Sequence, residues 1–321
     1  MTTYPLLIPG IVPKIEQKLK TLGLTAQESP MDFVIRKAGK KHRYSSVCQD
    51  RQGKKIMFYG VLMNKPFEIE RTKTEVKIAQ YFQKHPLKII PKYYQGKIEN
   101  GWAWLTREAL IDLPIETLGK IETLKRKLTP PELNQMVQGV WEITQIPTKN
   151  FTFLKKFDSE TYLVIPQKAF VEKILSLKDS TALQSFIANN QKLLKNENRY
   201  FTHGDLQIGN IIAYKNIVKI IDLESAHINN FAFDIAFLTT RMWQNKKERA
   251  LLIKKFYALL PQNKKEIFKT LFRIDTAYIA FYTYTSRPRE YTASKIKQRR
   301  AFMKWLLMAC LKSFEELTNL S

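Results

Sequence analysis

The stretch FTHGDLQIGNIIAYKNIVKIIDLESAHINNFAFDIA, residues 201–236, gathers the groups that can do chemistry. Asp205 is followed five residues later by Asn210. Two short apolar strands, Ile211-Ile212-Ala213 and Val218-Lys219-Ile220-Ile221, are joined by a Lys215-Asn216 turn, and Asp222 ends the second. A carboxylate on a loop before one strand can orient an attacking hydroxyl. An amide further on, and a carboxylate at the end of the next strand, can both reach one magnesium-triphosphate unit. Hard oxygen donors suit Mg²⁺, which keeps its other positions for water and phosphate. Phosphoryl transfer mostly needs alignment and charge neutralisation, so these few groups suffice.

His203, Gly204, Asp205, Asn210 and Asp222, with the helix start Asn229-Asn230-Phe231-Ala232-Phe233-Asp234-Ile235-Ala236 downstream, form a pattern. It resembles the catalytic core of the aminoglycoside phosphotransferase and choline kinase family, which has the protein-kinase-like fold. The resemblance implies an ATP- and Mg²⁺-dependent phosphotransferase. Asp205 would be the catalytic base or hydroxyl-positioning group, contributing roughly 10²–10⁴-fold. Asn210 and Asp222 would be the magnesium ligands, His203 a brace for the loop, and Asp234 the structural aspartate beside it. Glu224 has two readings, a contact to a metal-bound water or the substrate, and a salt bridge to a neighbouring lysine. Gly204 stands where protein kinases carry an arginine that pairs with a phosphorylated activation loop. Only eleven residues separate Asp222 from Asp234. Both features favour a small-molecule hydroxyl over a peptide; an amino alcohol, a sugar, an amino acid and an antibiotic all fit.

The resemblance also implies a phosphate-covering turn, a third-strand lysine and a glutamate on the following helix. Ala38–Arg43, AGKKHR, offers the turn, with Gly39 and Arg43 as its candidates. Glu75 is the helix glutamate, against the alternative of a surface residue beside Lys73 and Lys77. The lysine is missing: Phe58 and Tyr59 stand near its expected place. Lys54 or Lys55 could do its work, Arg36 or Arg43 on a neighbouring strand could replace it, or nucleotide binding is weakened and the protein binds or regulates as a degenerate kinase. Retention of Asp205, Asn210 and Asp222 favours the active enzyme. The connection between lobes falls at Thr106–Leu110, with Glu108 and Leu110 near the adenine edge.

These groups need elements to hold them. Apolar spacing predicts a helix over 12–22, strands over Met31–Ile35, Tyr44–Gln49 and Ile56–Leu62, and a helix over Arg71–Lys84. Strands follow at Tyr93–Ile98 and Trp102–Arg107 around an Asn100-Gly101 turn. From about residue 112 the pattern reads helical, with Thr129-Pro130-Pro131-Glu132 as a helix start. Phe170–Leu177, Leu183–Leu194, Ala250–Leu260, Lys264–Tyr284 and Ala301–Leu317 read as further helices. Sheet first and helices second imply an α+β chain. It divides into an N-terminal extension over 1–28, a nucleotide-binding lobe over 29–110 and a helical lobe over 111–321. Tyr278 and Tyr282, with Phe281 and Tyr284, put rings along one late helix, either as core or as lining of a substrate pocket. His227 is a packing residue or a substrate contact. Arg287, Arg289, Lys295, Lys297, Arg299 and Arg300 form either a solvated basic face or an anion-binding rim.

Composition bounds the rest. The 321 residues are 44% hydrophobic and 12% aromatic, as in globular proteins. The formal charge of +24 comes from scattered basic residues, mostly lysine, and reads as compositional bias more than as a nucleic-acid surface. Cys48 and Cys310 have no CxxC partner, and no histidine has metal-ligand spacing. The longest apolar run, Phe302–Leu311, is interrupted by Lys304 and is too short to span a membrane. The scarcity of cysteine leads to the expectation of a reducing, cytoplasmic setting, and no basic leader is expected before the first apolar run.

Overall fold

The computed structural model describes residues 12–30, 32, 43–62, 66–99, 101–110, 116–117, 119–120, 123–124, 126–214, 216–286 and 291–318. Arg36, Gly39, Asn100, Arg287 and Arg289 lie outside them, and of Arg43 only the backbone is described. The chain divides into two compact units, residues 1–115 with 219–225, and residues 116–218 with 226–321.

The first unit begins with α1 (Val12–Thr21), followed by β1 (Thr25–Ala26). The expected strand over 31–35 is not seen where it is described. Pro30 and Asp32 are helical, and the Ser29 hydroxyl accepts from the Asp32 amide at 3.1 Å, which caps a turn; residues 33–35 lie outside the described residues. Then come β2 (Arg43–Gln49), β3 (Lys55–Leu62), α2 (Pro66–Lys84), β4 (Tyr93–Glu99) and β5 (Trp102–Glu108). Helix α2 starts five residues before the expected Arg71, because Pro66 is a first-turn residue and not a breaker. The strands form one sheet in the order β1-β2-β3-β5-β4, with every neighbour pair antiparallel. At the β2–β3 turn, Asp50 Oδ1 accepts from the amides of Gln52 and Lys54, both at 2.9 Å, and Gly53 takes φ +81°.

Each face of this sheet carries a helix. On one, Ile15 and Leu19 of α1 pack with Tyr44, Cys48, Phe58, Trp102 and Trp104. Residues 12–21 therefore belong to the core of this unit. Gly60 permits the close approach, since a Cβ there would meet Ile15 at 3.2 Å. On the other face α2 buries Val76, Ile78, Ala79 and Phe82, and Gln80 donates to the Gly96 carbonyl at 2.9 Å.

The second unit opens with short strands where helix was expected: β6 (Glu116–Thr117), β7 (Gly119–Lys120) and β8 (Thr123–Leu124). Helix α3 (Pro130–Thr144) follows the Thr129 cap, and Glu132 closes a capping box while pairing with Arg126 at 2.6 Å. Next come α4 (Val164–Val171), α5 (Leu177–Asn189) and α6 (Gln191–Glu197). A helix over Phe170–Leu177 does not form. Lys173 takes φ 56°, which ends the turn, and Ser176 caps the next helix by accepting from the Asp179 amide. Strands β9 (Tyr200–Thr202), β10 (Ile211–Tyr214), β11 (Ile217–Ile220) and β12 (His227–Asn229) precede α7 (Phe233–Arg241), α8 (Lys246–Leu259), α9 (Gln262–Thr285), α10 (Ala293–Lys312) and α11 (Phe314–Thr318). Helix α10 starts eight residues before the expected Ala301, at the Thr292 cap, and breaks at Ser313. Phe231, Phe256, Phe268 and Phe272 are fully buried in this unit. Arg249 is buried as well, its guanidinium over the rings of Phe302 and Trp305 at 5.8 and 5.9 Å, and burial pushes its pKa down to about 10. The fold is thus α+β, an antiparallel-sheet region followed by a mainly helical one. Among the described residues no helix is long and apolar enough to cross a membrane.

Candidate active site

In the second unit, the pairing of β9 with β12 sets Thr202 opposite His227, so the chain after Thr202 enters a loop beside the start of α7. Asn230 shapes that start by accepting from the Ala232 amide at 2.9 Å. Asp234, in the first turn of α7, then reaches back to the loop. Its carboxylate accepts from the amides of His203 at 2.7 Å and Gly204 at 3.0 Å. Gly204 takes φ +80°, which a side chain would resist. Burial raises the Asp234 carboxyl above its ordinary range, while the His203 ring and the two amides pull toward the ionised form.

Asp205 follows on this braced turn. Its amide donates to His203 Nδ1 at 3.3 Å, and its Oδ2 accepts from Gln207 Nε2 at 3.3 Å. Gln207 is held in turn by Arg241, which donates to its Oε1 at 3.1 Å and lies over the Phe237 ring at 4.3 Å. Asn210 is nearly buried, and its Nδ2 donates to the Asp205 carbonyl at 2.9 Å, so Oδ1 is the amide atom left for a cation. His203, Asp205, Asn210 and Asp234 are therefore brought together, and Gln207 and Arg241 join them.

In the first unit, the segment 219–225 is tied down by the Ile220 amide, which donates to the Ile89 carbonyl at 2.7 Å. Lys219 reaches the Ile90 carbonyl at 3.4 Å and pairs with Glu108 at 3.7 Å. Asp222 takes φ 69°, a left-handed conformation that few side chains other than Asn and Asp adopt readily. Carboxylate oxygens of Glu75, Asp222 and Glu224 all lie within 4.8 Å of one another. Glu224 also ion-pairs with Arg71 of α2, which donates to Ser225 Oγ at 3.1 Å. Three carboxylates so close repel one another unless a cation intervenes. Arg71 supplies part of that charge, and the hard-oxygen donor set fits a divalent cation such as Mg²⁺.

The remaining candidates fall as follows. Lys55 opens β3 opposite Gln49, and Lys54 lies over the Tyr94 ring at 4.1 Å. Phe58 points to the α1 side and is fully buried. Tyr59 is on the opposite side, where its hydroxyl accepts from Arg107. Glu108 ends β5, its amide donating to the Lys92 carbonyl at 2.7 Å, and Leu110 is buried. In the second unit His227 lies between Phe157 and Phe233, at 5.8 and 5.2 Å between ring centres. Tyr278 packs on Phe157 and Tyr162, each at 5.3 Å, and Tyr282 on Tyr278 at 4.8 Å. Burial pushes the Tyr278 hydroxyl up to about 12. Below these rings Asp275 is fully buried, accepting from the Tyr162 hydroxyl and from Asn230 Nδ2 at 3.2 Å, and burial pushes it up to about 7. Of the basic run, Arg299 is buried and donates to the Thr283 and Ser286 carbonyls. It satisfies the end of α9 and is not part of a solvated face.

Sequence reasoning passed over Arg71, Arg107, Gln207, Arg241 and Asp275. Arg71 carries a local signal, since it stands four residues before Glu75 and so shares its helix face. Asp275 carries another, a carboxylate inside a buried helical run.

The sequence matches the model of the phosphotransferase enzyme family over residues 61–266. Among curated proteins, none matches it. A GDP complex of aminoglycoside 2'-phosphotransferase-IIIa is similar in structure, with a TM-score of 0.59 at 10% identity, covering 94% of this chain and 99% of that one. A choline/ethanolamine kinase family protein from Mesorhizobium loti gives 0.53 at 11% identity, covering 85% and 89%. An aminoglycoside phosphotransferase from Alicyclobacillus acidocaldarius gives 0.52 at 13%, covering 87% and 92%. At such identities the likeness speaks for the fold.

Proposed function

Because the chain belongs to the phosphotransferase enzyme family, we propose that it is a kinase transferring the γ-phosphate of ATP to a hydroxyl of a small molecule. The observation that carries this reading is the grip of Asp234 on the amides of His203 and Gly204, which presents Asp205 on a fixed turn. Asp205 orients the acceptor hydroxyl and takes its proton, while Gln207 and Arg241 fix the carboxylate. Asp222 and Asn210 are the magnesium ligands in this reading, with Glu75 and Glu224 beside Asp222. Bound Mg²⁺ would neutralise phosphate charge. Glu108 and Leu110 border the adenine. A small acceptor accords with the proteins of like fold, named for aminoglycosides and for choline or ethanolamine.

A panel of amino alcohols, sugars, amino acids and aminoglycosides with Mg-ATP, read as ADP release, tests the proposal. One acceptor should stimulate release, and Asp205→Ala should abolish it with the melting temperature unchanged. Calorimetry showing no Mg-ATP binding at millimolar nucleotide would sink it. A second reading, a kinase-like protein that binds nucleotide with weak turnover, draws on Tyr59 standing near the expected lysine. Nucleotide binding without stimulated ADP release across the panel would favour it.

A further inference from the structure

The kinase reading leaves the β3 strand without its phosphate-binding cation, and the structure holds a buried guanidinium next to the gap. We propose that Arg107 of β5 is the cation that binds the nucleotide phosphates, with Tyr59 as its positioning residue. The proposal rests on the kinase reading and names the group that completes its nucleotide half.

The register carries the argument. Arg107 is paired with Met57 of β3 on one side and Tyr93 of β4 on the other. Paired residues of an antiparallel sheet share a face, and so do residues two apart on one strand. Met57, Tyr59, Tyr93 and Arg107 therefore share the face that α2 covers. The guanidinium carbon lies 5.1 Å from the centre of the Tyr59 ring, and the guanidinium donates to the Tyr59 hydroxyl and to the Glu108 carbonyl at 3.2 Å. The charge thus stands over Tyr59, one of the two residues near the expected lysine position, displaced by one strand.

Its surroundings point to a phosphate. Tyr93 is buried within electrostatic range of Glu75, Arg107, Tyr59 and Asp222, so the arginine and two members of the acidic cluster border one place. Burial, and then Glu75, push the Tyr93 hydroxyl up, while Arg107 pulls it down. Arg107 is only 6% exposed, and its hydrogen-bond partners among the described residues are neutral. A guanidinium taken from water onto neutral acceptors has charge left to offer an anion. Its planar fork matches two phosphate oxygens at once, which an ammonium does not. Arg249 is also buried without a carboxylate, but it belongs to the core of the second unit, where its Nη1 donates to the Leu317 carbonyl and its guanidinium lies over the Phe302 ring at 5.8 Å.

Among the described residues, three other cations of this unit have partners of their own. Lys54 is on the Tyr94 ring, Arg71 is on Glu224 and Ser225, and Lys219 is on Glu108. Lys55 lies four residues before Tyr59, about 13 Å along the strand, beyond the reach of a lysine side chain.

Calorimetry on the full chain with Mg-ATP, Mg-ADP and adenosine tests the proposal, since adenosine lacks the phosphates. Arg107→Met should weaken Mg-ATP binding by about tenfold or more and leave adenosine binding unchanged. Arg107→Lys should fall between. Adding Tyr59→Lys to Arg107→Met should restore affinity to within about threefold of wild type, because the charge then returns to β3. A merely structural arginine would not be rescued in this way, nor would its loss separate ATP from adenosine. Should Arg107→Met fail to fold, Tyr59→Phe gives an independent reading. It keeps the ring but removes the acceptor, and KM for ATP should rise with kcat nearly constant. Mg-ATP binding by a folded Arg107→Met variant within about twofold of wild type overturns the proposal; so does parallel loss of adenosine, or an unchanged KM in Tyr59→Phe. If wild type itself binds no Mg-ATP, the kinase reading has failed instead, so the two failures are distinguishable.

Discussion

The Asp205 loop and the Asp222 cluster both present carboxylates, yet they are held in opposite ways. Around Asp205 the bracing is mostly by hydrogen bonds of amides: two main-chain amides donate to Asp234, the Asp205 amide donates to the His203 ring, and the amide side chains of Asn210 and Gln207 donate to Asp205. Around Asp222 the neighbours are charges, with Glu75 and Glu224 within 4.8 Å and Arg71 on Glu224. The first arrangement is settled by its own hydrogen bonds and is ready to orient a substrate. The second concentrates three carboxylates in one place, so its stability should follow the cations supplied to it. One region is preorganised by geometry, and the other waits for electrostatic completion.

Four experiments would break or sharpen that contrast. The largest effect belongs to Asp205→Asn, for which turnover should fall by roughly 10²–10⁴-fold while the melting temperature stays near wild type. A large loss of stability would mean that the loop depends on this carboxylate for its shape. Next is Asp234→Ala, which leaves two buried amides without their acceptor. Chemical denaturation should show a loss of about 2–4 kcal/mol, alongside reduced turnover. Third is Arg71→Met. Removing the cation from the acidic cluster should lower stability by about 1–2 kcal/mol without added metal. Millimolar Mg²⁺ should then raise the melting temperature of the variant more than that of wild type. Equal shifts in the two proteins would contradict the picture of a cluster held together by cations.

The smallest effect concerns Asp275, in the same unit as the Asp205 loop. Its carboxyl is raised from 3.8 to about 7, chiefly by burial. A carboxyl raised on folding favours the folded state only while protonated. That contribution is complete below its unfolded value and is lost as pH rises through about 7. Asp275→Asn should flatten this dependence, gaining on wild type by a few degrees in melting temperature between about pH 5 and pH 8. A constant difference across that range would remove the burial argument.

Much of the Asp205 region was legible because its parts are close in sequence. The spacing from His203 to Asn210 is read within one loop, and the reach to Asp234 spans one strand pair and a helix start. The acidic cluster was only half legible. Glu75 was expected on a helix, but nothing local says that Glu224 would prefer Arg71 to a lysine, since that pairing joins residues far apart in the chain. Arg107 was hidden for a different reason. In the run WAWLTRE both faces of the strand are buried, so alternation, the signal that would have placed the arginine on one face, is absent. The misplaced helix at Phe170–Leu177 has a backbone cause. Lys173 adopts a left-handed turn with no glycine to announce it. The short strands after residue 115 are two residues each, too brief for any periodicity.

The two cysteines give each unit its own built-in clock. Cys48 lies in the core of the first unit and Cys310 in the core of the second, both fully buried, with burial pushing each thiol up to about 12. A thiol of that kind reacts with an alkylating reagent only when its surroundings open. The two labelling rates therefore time the opening of each unit separately, in the unmodified protein. A ligand that settles on the first unit alone should slow the Cys48 clock and leave that of Cys310 running.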